Sequence, residues 1–114
     1  ERYINFIAND IEAPYFINMK QMYGLRPDEY ELVLSKIFNQ PVTIKGNQLV
    51  YDPNDNIIYF EDRDAGYWRK LEYDNNGKVI YYEDSNGFWY KKEYDDQGNR
   101  IYYEDSYGVI RDNR

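Results

Sequence analysis

The sequence predicts an α+β fold: an N-terminal helical hairpin packed on a C-terminal antiparallel β-meander of about three ~21-residue repeats. Three observations point there. The run Ile58-Tyr59-Phe60-Glu61-Asp62 recurs as Ile80-Tyr81-Tyr82-Glu83-Asp84 and as Ile101-Tyr102-Tyr103-Glu104-Asp105, at steps of 22 and 21 residues. Self-similarity at a fixed period marks a stack of small units. Between the recurring runs lie turn signals that lead from Asp to Gly, and residues 27–39 carry a single apolar helical stripe. The expected division is a helical segment over 1–41 and a β-repeat sheet over 42–114, together one compact unit.

The helix over 27–39 rests on Tyr30, Val33, Leu34, Ile37 and Phe38, which fall at i, i+3, i+4, i+7 and i+8. Pro27 suits the first helical position, where the missing N–H costs nothing. Asp28 and Glu29 follow in the first turn, where the helix dipole favours acids. Asn39 and Pro41 end the helix. A shorter helix is expected over 14–23, with Phe16, Met19 and Tyr23 on one face and Gly24 as its stop. Residues 1–12 suit a helix through Tyr3, Ile4, Ile7 and Ile11, while Ile4 and Phe6 suit an edge strand equally well. The helical stripe is expected to pack on the sheet; a groove-binding role for it is the alternative.

Each repeat holds two turns. One follows Tyr, as in Tyr73-Asp74-Asn75-Asn76-Gly77 and Tyr94-Asp95-Asp96-Gln97-Gly98, with Tyr51-Asp52-Pro53-Asn54-Asp55 as a variant that lacks the Gly. The other follows Glu-Asp, as in Ser85-Asn86-Gly87 and Ser106-Tyr107-Gly108, and one residue longer in Arg63-Asp64-Ala65-Gly66. Asp opens such a turn by accepting backbone N–H groups ahead of it, and Gly supplies the positive φ at the exit. The intervening runs of Tyr, Ile, Trp and Val are strand formers. Strands are expected near 42–45, 48–51, 57–61, 67–73, 79–83, 88–94, 100–104 and 109–111, each paired with its neighbour in sequence. Aromatic and charged residues alternate on both faces, so the sheet is expected to be only partly covered, with Trp68 and Trp89 as the large anchors under the helices.

Composition removes several kinds of chemistry. The chain has no Cys and no His, which excludes disulfides, thiol nucleophiles, and thiolate or imidazole metal ligands. No apolar run is long enough to span a membrane. The net charge of −7 is concentrated in the second half, where residues 51–114 carry fifteen acids and nine bases against six and five in 1–50. That acidity repels phosphate backbones, so direct nucleic-acid binding is not expected and a basic protein surface is the better partner. A cytoplasmic location is expected, with secretion left open.

The string Glu93-Tyr94-Asp95-Asp96-Gln97-Gly98-Asn99-Arg100-Ile101 resembles the YD repeat of Rhs-type and teneurin-type proteins, and the match in spacing and residue type covers about 51–111. The resemblance implies a spiralling β-sheet. Residues 83–99 are also similar to small proteins of bacteria and their phages with tandem Glu-Asp-Ser-x-Gly-x-Trp-x-Lys-x-Glu-Tyr-Asp-x-x-Gly-Asn units, a likeness that implies no chemistry. Asp55 in place of the turn Gly and Val109-Ile110 in place of the aromatic-Trp pair depart from the pattern at the two ends of the array.

Repetition decides how conspicuous residues are read. Glu61, Glu83 and Glu104 recur at one position, as do Asp62, Asp84 and Asp105. A pair of carboxylates suits glycoside hydrolysis, but three equivalent copies provide no unique centre, and strand and turn roles account for them. Ser35, Ser85 and Ser106 have no His to activate them. Asp52-Pro53-Asn54-Asp55-Asn56 offers oxygens to Ca²⁺ but lacks the Gly and distal Glu of a calcium loop. No catalytic residue, metal site or cofactor is therefore expected. The expected function is a non-enzymatic protein-interaction module, bacterial or phage-encoded, that binds a partner, in one version as an inhibitor. Its contact residues would be Tyr59, Tyr67, Trp68, Tyr81, Trp89, Tyr90, Tyr102, Glu61, Glu83 and Glu104. The alternative is an aromatic-repeat module that stacks on cell-wall glycans.

Overall fold

A computed structural model describes residues 26–46, 48–62 and 64–114. The helix expected over 14–23, and with it the hairpin and the reading of 1–12, lie outside the described residues. Among those described, one helix precedes an eight-stranded antiparallel meander.

Helix α1 spans Pro27–Phe38. Its start is fixed by Glu29, whose carboxylate accepts the Arg26 N–H at 3.1 Å. It stops at Asn39, which takes the left-handed conformation (φ 56°) as Gln40 N–H turns back to the Ser35 carbonyl at 3.1 Å. The inward stripe is the expected one: Val33 and Leu34 are fully buried, Tyr30, Ile37 and Phe38 flank them, and Leu32 on the outer side is exposed.

The strands are β1 (Thr43–Lys45), β2 (Leu49–Tyr51), β3 (Ile57–Asp62), β4 (Tyr67–Tyr73), β5 (Val79–Asp84), β6 (Trp89–Tyr94), β7 (Arg100–Asp105) and β8 (Ile110–Asp112). Each pairs only with its neighbours in sequence, in the order β1 to β8. At about 4.8 Å per strand the meander is roughly 34 Å wide. The hydrophobic core sits at one end of it, where α1 lies over β1–β4. Val33, Leu34, Val50, Ile58 and Tyr59 form its centre, and Trp68 and Tyr73 pack at its margin. Full burial of a Val or Leu side chain contributes about 2 kcal/mol. The large anchor is Tyr59, fully buried with its ring 5.6 Å from that of Phe38. Among the described residues Trp68 flanks this core and Trp89 is not part of it.

Six turns share one mechanism. Asp52, Asp74 and Asp95 each accept two backbone N–H groups on one carboxylate oxygen, from the second and fourth residues ahead, at 2.8–3.0 Å. Asp84 and Asp105 accept the N–H two residues ahead at 2.9 Å, and Asp62 takes those of Asp64 and Ala65. Gly77 and Gly98 leave the first type of turn at φ 80° and 82°, and Asp55 occupies the same place at φ 65°. The Asp52 oxygens offered to calcium in the sequence reading are thus spent on Asn54 and Asn56.

The register shifts at three equivalent points. It steps from Val50↔Tyr59 to Tyr51↔Ile57, from Glu72↔Tyr81 to Tyr73↔Val79, and from Glu93↔Tyr102 to Tyr94↔Arg100. The residues skipped are Ile58, Ile80 and Ile101, the aliphatic residue of each recurring run. Such bulges bend the strand and increase its twist.

Replacing Asp55 with Gly should stabilise the protein by up to about 1 kcal/mol, because a non-glycine residue in the left-handed region carries a cost of that order. The exposed Lys45–Asp55 pair at 3.2 Å that would be lost is worth less. A rise in the thermal midpoint of the D55G variant is the expected result.

Candidate interaction surface

The pairing register sorts the side chains into two faces. Residues directly opposite share a face, and alternate residues along a strand return to it. Tyr59, Glu61 and Trp68 fall on one face, followed by Glu83, Trp89 and Glu104 across the sheet and by Tyr81 and Tyr102 beside them. This is the face that α1 covers at its β1–β4 end. Eight of the ten expected contact residues lie on it. Tyr67 and Tyr90 do not: Tyr67 stands opposite Asp62 and Tyr90 opposite Tyr82 and Asp105, all on the other face.

One local device repeats along the first face. The hydroxyl of Tyr59 donates to Glu61 Oε1 at 3.0 Å, that of Tyr81 to Glu83 at 2.9 Å and that of Tyr102 to Glu104 at 2.8 Å. The two residues are separated by one position on a strand, so both side chains rise on the same side and the ring reaches the carboxylate. Exposure differs. Tyr59 and Glu61 are fully buried, which removes them from any surface a partner can reach. Tyr81, Glu83, Trp89, Tyr102 and Glu104 are half-buried beyond the helix. Burial of the ring, the bond to Glu83 and the charges of Glu83 and Glu72 push the Tyr81 phenol up to about 12. The bond to Glu104, then burial, raises that of Tyr102.

Charges on this face are mostly negative. Glu72, Glu83, Glu93, Glu104 and Asp112 stand among Lys70, Lys91 and Arg114. Lys91 Nζ lies 5.4 Å from the centre of the Trp89 ring. Arg114 folds back over the face: its guanidinium binds Asp112 at 3.0 Å and Glu93 at 3.1 Å and lies 4.1 Å from the centre of the Tyr102 ring.

The opposite face carries an aromatic row of its own. Tyr82 and Tyr90 stack at 5.2 Å with ring planes 5° apart, Tyr103 follows Tyr90 at 6.2 Å, and Phe88 and Tyr107 continue at the turn end. Tyr82 and Tyr103 donate to Asp84 and Asp105, which ties this row to the turns, and Tyr67 meets the Tyr82 hydroxyl at 3.0 Å. The signal was present in the alternation of Phe88, Tyr90 and Lys92, but it shows its partners only once the register is known.

A cleft of about 230 Å³ lies under the end of α1, lined by Ile37, Phe38, Ile58, Lys70 and Glu72. It is smaller than the sites that enclose drug-sized ligands. Among the described residues no three Asp or Glu side chains converge as metal ligands, and no helix is long and apolar enough to cross a membrane. No protein-family model, curated protein or solved structure matches the chain.

The titrations have defined signs. Backbone N–H groups of Asn99, Gln97 and Gly98 hold Asp95 below the usual carboxylate range. For Asp105 burial acts upward, and the Tyr103 hydroxyl with the Tyr107 and Val109 amides outweighs it, so the carboxyl also lies low. A depressed folded value means that the unfolded chain binds more protons, so this stability is present above about pH 4 and is lost as pH falls further. Tyr81 runs the other way: its contribution is full below pH 10 and disappears as pH rises toward 12. Alkaline difference absorbance should show a phenolate component with a midpoint near 12 that is missing from the Tyr81→Phe variant. Unchanged titration curves in that variant would contradict the assignment.

Proposed function

We propose that the chain is a non-enzymatic protein-interaction module of bacterial or phage origin, built from about three ~21-residue units. Its acidic, tyrosine-rich face docks a basic protein surface and inhibits the partner by occupying it. The observation that carries this reading is the half-exposed group of Tyr81, Trp89 and Tyr102 on the same face as Glu83, Glu93 and Glu104. Aromatic rings are the commonest anchors of protein interfaces. Here two of them are held by carboxylates, so little side-chain freedom remains to be lost on binding. The surrounding acids steer a basic partner and set its orientation. Recurrence of the phenol–carboxylate pair supports a structural rather than a catalytic role for each carboxylate. A buried copy at Tyr59–Glu61 is hydrogen-bonded in the same way as the exposed ones.

A second reading, stacking on cell-wall glycan, is favoured by Trp68 and Trp89. They share this face two strands apart, about 9.6 Å sideways, and are offset by two residues, roughly 7 Å, along the strands.

The test is capture from bacterial lysate by the immobilised chain. Stoichiometric capture of a basic protein should fall about tenfold or more in the Glu83→Lys/Glu104→Lys double variant and persist in Lys92→Glu, which alters the opposite face. It should also weaken as salt is raised above about 0.15 M. Equal capture by all three chains, or none by any, would defeat the proposal. Quenching of Trp fluorescence by wall polysaccharide would favour the glycan reading instead.

A further inference from the structure

The tyrosine row on the second face is joined to a carboxylate at each end. The rings of Tyr82 and Tyr90 lie 5.2 Å apart with planes 5° apart, and Tyr103 follows Tyr90 at 6.2 Å and 21°. The Tyr82 hydroxyl donates to Asp84 Oδ2 at 2.9 Å, and that of Tyr103 donates to Asp105 Oδ2 at 2.8 Å. The other oxygen of each carboxylate accepts turn amides, from Asn86 in one case and from Tyr107 and Val109 in the other. Both carboxylates are therefore held in place, and both are buried. Since Tyr82 gives its proton to Asp84, its oxygen accepts from the Tyr67 hydroxyl, 3.0 Å away. Tyr90 stands between the two ends and donates to no carboxylate among the described residues.

A phenol on its own is hard to oxidise. Loss of one electron makes its hydroxyl a strong acid, and the proton must leave with the electron. A carboxylate already bonded to that hydroxyl is placed to take the proton. The products are a neutral phenoxyl radical and a neutral carboxylic acid, so no charge is left in the half-buried site. Lys92 Nζ lies 4.8 Å from the centre of the Tyr90 ring, and the Arg100 guanidinium lies 5.1 Å from that of Tyr103. A cation repels a positive hole. At Tyr103 the departure of the proton to Asp105 leaves the ring neutral, whereas Tyr90 has no such acceptor. Oxidation therefore rests at the two ends and only passes through the middle.

We propose that Tyr82, Tyr90 and Tyr103 form a one-electron relay, in which Tyr82 and Tyr103 are oxidised to neutral radicals and Tyr90 conducts between them. In the first step a one-electron oxidant takes an electron from Tyr82 while its O–H bond breaks and the proton joins Asp84 Oδ2. The Tyr82 oxygen keeps the hydrogen bond from Tyr67, which stabilises the radical. In the second step an electron passes from Tyr103 through the Tyr90 ring to Tyr82. The proton on Asp84 returns to Tyr82, and that of Tyr103 moves to Asp105. One electron has then left the protein, and the vacancy has moved two strands, from β5 to β7. The relay uses neither the acidic face nor a protein partner, so it does not rest on the interaction proposed above.

The chain has no Cys, so an Asn86→Cys variant takes a single ruthenium polypyridyl photo-oxidant at the turn after Asp84. Flash oxidation in the presence of a biotin-linked phenol marks tyrosyl radicals by a new carbon–carbon bond; two protons leave, and ruthenium(III) takes the two electrons. Peptide mass spectrometry should find the label at Tyr82 and Tyr103. In this background Tyr90→Phe, which keeps the ring and removes the phenol, should lose the label at Tyr103 and retain it at Tyr82. Asp84→Asn, which still hydrogen-bonds but cannot take a proton, should lose the label at Tyr82. Tyr81→Phe, on the other face, should change neither. Decay of ruthenium(III) should be slower in heavy water than in light water, a readout that leaves both carboxylates unaltered. Label at Tyr103 that survives Tyr90→Phe, label at Tyr82 that survives Asp84→Asn, label confined to other tyrosines, or equal decay in the two solvents would overturn the proposal.

Discussion

A carboxylate accepting backbone N–H groups is the interaction on which this sheet depends. Asp52, Asp62, Asp74, Asp84, Asp95 and Asp105 each hold the turn that follows them. A turn fixes where the next strand begins, and the start fixes the register. Because side chains alternate strictly along a strand, a slip of one residue would send every Tyr and Glu to the wrong face. The segregation of the strand glutamates to one face and of the stacked tyrosines to the other is therefore set at the turns rather than in the strands. Among the described residues no large core imposes it: beyond the α1 end the strands are half-buried or exposed, apart from Asp84 and Asp105.

Much of this was legible because turn chemistry is local. An Asp followed by Gly at the right distance specifies its own geometry, and the expected strands fall within a residue or two of those observed. The stripe of Tyr30, Val33, Leu34, Ile37 and Phe38 is equally local. Burial was not legible. Tyr59-x-Glu61, Tyr81-x-Glu83 and Tyr102-x-Glu104 are the same motif, yet the first is sealed in the core and the others meet solvent. What separates them is their distance from α1 across the sheet, which no window of the sequence contains. Grouping Tyr67 and Tyr90 with the other eight contact residues ran two faces together, for a related reason. Aromatic composition was visible, but the face depends on counting residues through each bulge.

The phenol–carboxylate pairs couple stability to surface character. A tyrosine on an open sheet presents a polar tip that competes with water, and a glutamate beside it carries a charge that resists crowding by its neighbours. Joined, the two fix each other's rotamers. The same arrangement recurs on the opposite face between Tyr82 and Asp84 and between Tyr103 and Asp105, where the acceptor also serves a turn. Side-chain order on both faces is thus tied to backbone order at the hairpin ends, and loss of one turn would be felt by the rings of its own unit first.

The three bulges at Ile58, Ile80 and Ile101 have a geometric consequence. Each inserts its extra residue at the same end of its hairpin, so each adds the same increment of bend and coil. Equal increments sum to a helicoid, not a plane. A rigid counterpart that fits the curvature of one unit would need to change its own direction to follow the next, so the number of units engaged is a measure of how well a binding surface winds.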